Sequence, residues 1–115
     1  MSCALPALQE RPTLCVLVSK LQLTTQDWFE THKVEGIRVN ILGVMNVIDV
    51  CHMKGIHCTT FGTGFMYTYD EKHPLGSGIG FTEQDAPNFQ GPYYCQIRVM
   101  LEQLMLPYDN VLNLR

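Results

Sequence analysis

Apolar residues in this chain fall either in short unbroken runs or in longer stretches where they recur at helical spacing. Leu14, Cys15, Val16, Leu17 and Val18 form the first run. Its length and lack of alternation predict a strand over residues 13–18, buried on both faces. Residues 1–12 carry Pro6 and Pro12 and show no periodicity, the pattern of a loose N-terminal arm. Thr24 or Thr25 offers a cap for a short helix through Asp27, Trp28 and Phe29 to about residue 32, with acids near its start as the helix dipole prefers. The strongest signal follows. Ile37, Ile41, Val44, Met45, Ile48 and Cys51 recur at helical spacing, and Gly55 closes the run, so a helix over about residues 36–54 is expected to end on that glycine. Residues 56–61 read as a second buried strand. Pro92 then stands in the first turn of a helix carrying Tyr94, Ile97, Met100, Leu101, Leu104 and Met105, which Pro107 stops. Residues 110–114 read as a third strand.

Strand, helix, strand, long loop, helix, strand is the order of crossovers in a parallel sheet, so the pattern predicts an α/β fold. The loop, residues 69–91, is rich in Gly, Pro, Asp and Asn, and loops of that length inside a compact domain are usually functional. At 115 residues the chain supports one domain, which would bury somewhat less than about 70% of its unfolded surface. We assign that domain to residues 13–115. A sheet that ends on a strand leaves one face without a cover, which reads as a fragment of a larger unit.

Composition narrows the function classes. An apolar fraction of 46% and a charged fraction of 17% are those of a globular protein. A net charge of -3 provides no basic stripe for nucleic acid. The run at residues 14–18 is too short to span a bilayer and lacks the small-residue cleavage site of a signal peptide, so no membrane association and a cytoplasmic location are expected. Five cysteines, Cys3, Cys15, Cys51, Cys58 and Cys95, have no close spacing of the kind that marks zinc sites or disulfide frameworks, and read as reduced thiols with no metal.

Three stretches invite a chemical reading. LGSGIGF, residues 75–81, is glycine-rich, but its glycines do not make G-x-G-x-x-G and no strand leads into it, so a dinucleotide cradle is rejected in favour of a flexible loop. In FGTGFMYTYD, residues 61–70, Thr63 follows a strand at the C-terminal sheet edge, where ligands of open α/β folds bind. Its hydroxyl can donate to a substrate carbonyl or satisfy a turn, and spacing favours the turn. In GPYYCQIR, residues 91–98, Tyr94 and Arg98 are four apart and share a helix face. A phenol with a pKa of roughly 10 needs a nearby cation to act as an acid near neutrality. Arg98 supplies the charge, although its planar fork differs from a compact ammonium. Tyr-x-x-x-Arg is also an ordinary pattern on structural helices.

Together, DWFETHKVEGIRVNILGVMNVIDVC, FGTGFMYTYDEKHPLGSGIGFTEQDAPNFQGPYYCQIRVMLEQL and YDNVLNLR resemble the plant-type bifunctional nucleotide-rhamnose synthases. These are extended short-chain dehydrogenases that convert a UDP- or dTDP-4-keto-6-deoxyglucose to the rhamnose nucleotide with NADPH. HPLGSGIGF and the trailing E-x-D-x-P-N-F are specific to that family. The resemblance runs over residues 27–115 and implies a partial Rossmann-like sheet without the N-terminal Gly-rich dinucleotide-binding unit. It implies catalytic roles for Thr63, Tyr94 and Arg98, with Tyr94 and Arg98 also facing the cofactor, and a structural role for Asn40. Arg98 stands where the family has lysine. Phe65 stands where it has a cysteine implicated in epimerisation, so the resemblance implies that an acid or base for proton exchange is lost.

The resemblance further implies a nucleotide-sugar substrate and NADPH as cofactor. The isolated chain is expected not to bind NADPH, because no residues supply the Gly-rich turn. It also implies pairing of the helices at residues 36–54 and 92–106 with copies in a second subunit. A homodimer, or a heterodimer with a full-length paralogue, is the expected assembly. The expected function is that of a truncated paralogue inactive alone. The alternatives are an active NADPH-dependent keto-sugar reductase/epimerase in rhamnose biosynthesis and a non-catalytic dimerisation module.

Overall fold

The computed structural model describes residues 14–17 and 26–115. Three strands, β1 (Leu14–Leu17), β2 (His57–Phe61) and β3 (Val111–Leu114), form one parallel sheet in the order β1-β2-β3. Cys15 lies opposite Cys58, and Phe61 opposite Leu114. The helices are α1 (Gln26–Thr31), α2 (Lys33–Ile37), α3 (Val44–Met53) and α4 (Tyr93–Met105), with a π-helical segment, Arg38–Gly43, between α2 and α3. The proposed loose arm and the capping threonines, Thr24 and Thr25, lie outside the described residues.

The expected helix over residues 36–54 is therefore two α-helices joined through a widened turn. Asn40 is buried there, and its side-chain amide donates to the Gly36 carbonyl four residues back at 3.2 Å. A side-chain donor inserted into the backbone ladder is a recognised cause of such local widening. Gly36 itself cannot carry a side chain comfortably, since a Cβ there would come within 2.9 Å of the Phe29 ring. The far end of α3 closes as the sequence indicates. Gly55 has φ +65°, its N–H donates to the His52 carbonyl at 3.1 Å, and Ile56 N–H donates to Cys51 at 2.8 Å. That pair of bonds is a Schellman closure, which needs a left-handed residue and so favours glycine.

Both α3 and α4 pack on one face of the sheet. Val44, Ile48 and Cys51 from α3 meet Leu101 and Met105 from α4 over Cys58, with Cys15 and Val111 at the margins. The opposite face presents Leu14, Val16, Phe61, Leu112 and Leu114, all exposed. This corrects the expectation that the first strand is buried on both faces. Among the described residues helices cover its Cys15 side only, and Leu14 and Val16 are more than half exposed.

α1 fastens the start of α4. Glu30 accepts from the Tyr93 N–H at 2.6 Å, supplying a carboxylate to an N-terminal helix amide. Lys33 lies over the Tyr93 ring at 4.9 Å, and Phe29 packs on the Tyr94 ring at 5.2 Å. These contacts fix the turn of α4 that carries the candidate tyrosine.

Candidate functional site

The C-terminal end of β2 and the N-terminal half of α4 form the edge where the sequence places its chemistry. Arg98 bridges the two. It is buried, and its guanidinium donates to the Phe61 carbonyl, the last of β2, at 2.5 Å. A charged donor on a backbone carbonyl makes a stronger bond than a neutral one. The side chain therefore ties α4 to the strand end.

Thr63 lies two residues beyond that carbonyl. Its Oγ1 accepts from the Phe65 N–H at 3.2 Å, as a hydroxyl does in a small side-chain-closed turn. Phe65 is exposed and packs edge-on against Phe89 at 5.4 Å. Tyr94, one turn before Arg98, is half-buried against Phe29. The structure thus brings the Tyr94–Arg98 helix to the strand end that leads into Thr63. A groove of about 620 Å³ lies elsewhere, lined by Glu102, Leu112, Asn113 and Arg115 among others, and by none of Thr63, Tyr94 and Arg98.

The connection over residues 62–92 contains no helix or strand, yet it is heavily pinned. Asn88 is the main fastener. Its side chain accepts from the Thr68 N–H at 2.8 Å and donates to the Thr68 carbonyl and to Asp70, each at 2.9 Å. The Asn88 and Phe89 amides both donate to the carbonyl of fully buried Met66. His73 is buried, donates from Nδ1 to Asp70 at 2.9 Å, and lies 3.6 Å through Nε2 from Asp85. Its ring stacks on Phe81, which in turn stacks on Tyr67.

The carboxylates in this array are held in their charged forms. The His73 hydrogen bond holds Asp70 below the ordinary carboxylate range, and the Thr82 amide and hydroxyl do the same for Asp85. In LGSGIGF, Gly76 and Gly78 have φ of +78° and +76°, so two of its glycines serve turns that disfavour other residues. The motif that looks like a phosphate cradle is a turn scaffold, with no strand before it and no helix after it.

Sequence spacing missed two constellations. One is the Asp70–His73–Asp85 array, whose members are brought together by the loop's own turns. The other is a trio of thiols. Cys15, Cys51 and Cys58 have sulfur atoms all within 4.8 Å of one another, although the three are far apart in sequence. Alternation along the strands holds the missing signal, because it puts Cys15 and Cys58 at paired positions on the face covered by α3. The four described cysteines are free thiols.

No protein-family model matches the chain. Over 89 residues, 77% of its length, it is 48% identical to a bifunctional dTDP-4-dehydrorhamnose 3,5-epimerase/dTDP-4-dehydrorhamnose reductase of Arabidopsis thaliana, of which it covers 30%. It is 49% identical over the same length to a trifunctional UDP-glucose 4,6-dehydratase/UDP-4-keto-6-deoxy-D-glucose 3,5-epimerase/UDP-4-keto-L-rhamnose-reductase of the same plant, of which it covers 13%. The L780 UDP-rhamnose synthase of Acanthamoeba polyphaga mimivirus has a similar crystal structure, with TM-score 0.65 and 34% identity over 77% of this chain and 32% of that one. The chain therefore spans less than a third of the length of these relatives, and over that span it is a homologue of the nucleotide-rhamnose epimerase/reductases.

Proposed function

We propose that this chain is a non-catalytic relative of the nucleotide-rhamnose epimerase/reductases, retaining their helix-and-loop scaffold as an association module in the cytosol. The observation that carries this reading is the placement of Arg98. A reductase tyrosine needs a cation free to favour its phenolate and to meet the cofactor. Here the guanidinium at that position is buried and donates to the Phe61 carbonyl, so the cation serves the strand end as a structural anchor. Two further features agree with it. Phe65 supplies no titratable group where epimerisation chemistry would need one, and the 115 residues include no glycine-rich turn of the dinucleotide-binding type.

Restoring the family residues tests the catalytic half of the proposal. The double variant Arg98→Lys, Phe65→Cys is expected to show no NADPH oxidation with a 4-keto-6-deoxy nucleotide sugar, because among the described residues no glycine-rich turn joins a strand to a helix to hold the hydride donor. Turnover clearly above that of the unchanged protein would contradict it. One observation favours the alternative of an active keto-sugar reductase: Tyr94 remains half-exposed on an intact helix beside the strand end that leads to Thr63.

The association half rests on apolar residues that the fold leaves outside. Ile48, Ile97 and Leu101 are consumed by the core, whereas Val39, Leu42, Met100 and Leu104 are exposed. An apolar stripe wider than its own sheet requires can serve a partner as well. Homodimerisation, or pairing with a full-length paralogue, is the proposed use. Sedimentation is expected to show a concentration-dependent dimer that Leu42→Glu dissociates without loss of helix content. A folded wild type that stays monomeric over a wide concentration range would contradict it.

A further inference from the structure

The thiol trio lies away from the edge described above, where β1, β2 and α3 meet. Cys15 and Cys58 are register partners on adjacent parallel strands, and Cys51 comes down on them from the last turn of α3. Cys51 and Cys58 are buried and Cys15 is partly accessible, so the site has one open side. Its surroundings are Val44, Ile48, Leu101 and Met105 in the same cluster, with Ile56 and Val111 packed against it. No His, Asp or Glu among the described residues joins the three sulfurs as a fourth ligand.

This donor set selects among thiophilic ions by coordination number and by charge. Zinc takes four ligands in structural sites and would lack one here. Three thiolates around a divalent zinc leave one negative charge, and around a monovalent copper two. An uncompensated charge in an apolar core is costly. A trivalent metalloid with three sulfur bonds carries no net charge and needs no fourth ligand.

We propose that Cys15, Cys51 and Cys58 form a three-sulfur binding site for a trivalent thiophilic metalloid of the arsenous acid type. In the binding step three As–O bonds and three S–H bonds break. Three As–S bonds form, and each thiol proton leaves with a hydroxyl as water. Arsenic stays trivalent throughout, so no oxidant or reductant is consumed. The product joins β1 to β2 and to α3 through one atom.

Burial raises the Cys51 thiol and pushes Cys58 up to about 12. The exchange of three arsenous acid hydroxyls for three thiols releases water and no net proton, whereas zinc or copper must displace thiol protons.

The test is titration of the reduced full chain with arsenite, with zinc and monovalent copper as rival probes. One arsenic per chain and a raised Tm are expected. Cys15→Ala, at the accessible edge of the trio, should weaken binding by about 10²-fold through loss of one intramolecular attachment. Cys3→Ala and Cys95→Ala should leave binding unchanged. X-ray absorption of the arsenite-loaded wild type, which needs no variant to fold, should show three sulfur neighbours and no oxygen. Retained oxygen, Cys15→Ala binding equal to wild type, or zinc or copper binding in place of arsenic would each overturn the proposal.

Discussion

Truncating Arg98 to alanine is expected to lower stability by about 2–4 kcal/mol, the range for removing a charged hydrogen bond together with the packing of a buried stem. Arg98 is 5% exposed, in a helix whose neighbouring Ile97 and Leu101 are core residues. Its guanidinium meets the Phe61 carbonyl at 2.5 Å. Alanine would leave that acceptor without its donor and open a void beneath it. Arg98→Lys should fall between alanine and wild type, because one ammonium cannot reproduce a planar, multi-donor fork. Urea unfolding with an unchanged denaturant slope would measure both. Alanine with wild-type stability would show that Arg98 is no anchor, and would return the side chain to the catalytic reading.

Ile48→Ala should be at least as damaging, at about 2–5 kcal/mol for a large-to-small change at a fully buried site. Ile48 is 0% exposed, in the cluster where α3 and α4 meet over β2. Its loss should appear as a lower thermal midpoint at every protein concentration. A midpoint that recovers fully at high concentration would instead place Ile48 in an interface between subunits. Leu42→Glu is the counterpart, expected to change association with little change in the stability of the folded unit.

The elements of the fold were legible because their signals are local. Gly55 ends α3 through a left-handed closure that the sequence marks with a glycine. Pro92 stands at the N-cap of α4 with ψ 157°, one residue outside the helix it was expected to begin. The π segment was not legible, since its cause is one buried side-chain bond from Asn40 to Gly36, which helical periodicity does not register. The exposed face of β1 was also hidden. An unbroken apolar run states that a strand is hydrophobic on both sides, and says nothing about whether both sides are covered.

The site divides in the same way. Spacing alone put Tyr94 and Arg98 on one helix face, but the direction in which Arg98 points depends on where β2 ends, a tertiary fact. Asn88, within the E-x-D-x-P-N-F stretch, owes its hydrogen-bonding place to the return of the loop onto Thr68, Asp70 and Met66, and Asp85 is held by Thr82 beside His73. The thiols are the sharpest case. Their sequence separation reads as scatter, and only strand register with helix docking brings them together.

Calorimetric titration of the folded chain with NADPH tests the proposed absence of catalysis most directly. Pyrophosphate recognition in α/β folds depends on backbone N–H groups at a helix start behind a glycine-rich turn. Among the described residues no such turn joins a strand to a helix, and the glycines of residues 76–80 lie in an exposed loop. No saturable heat is expected up to millimolar NADPH, with or without a nucleotide sugar. Saturable binding at micromolar concentration by the folded chain would contradict it.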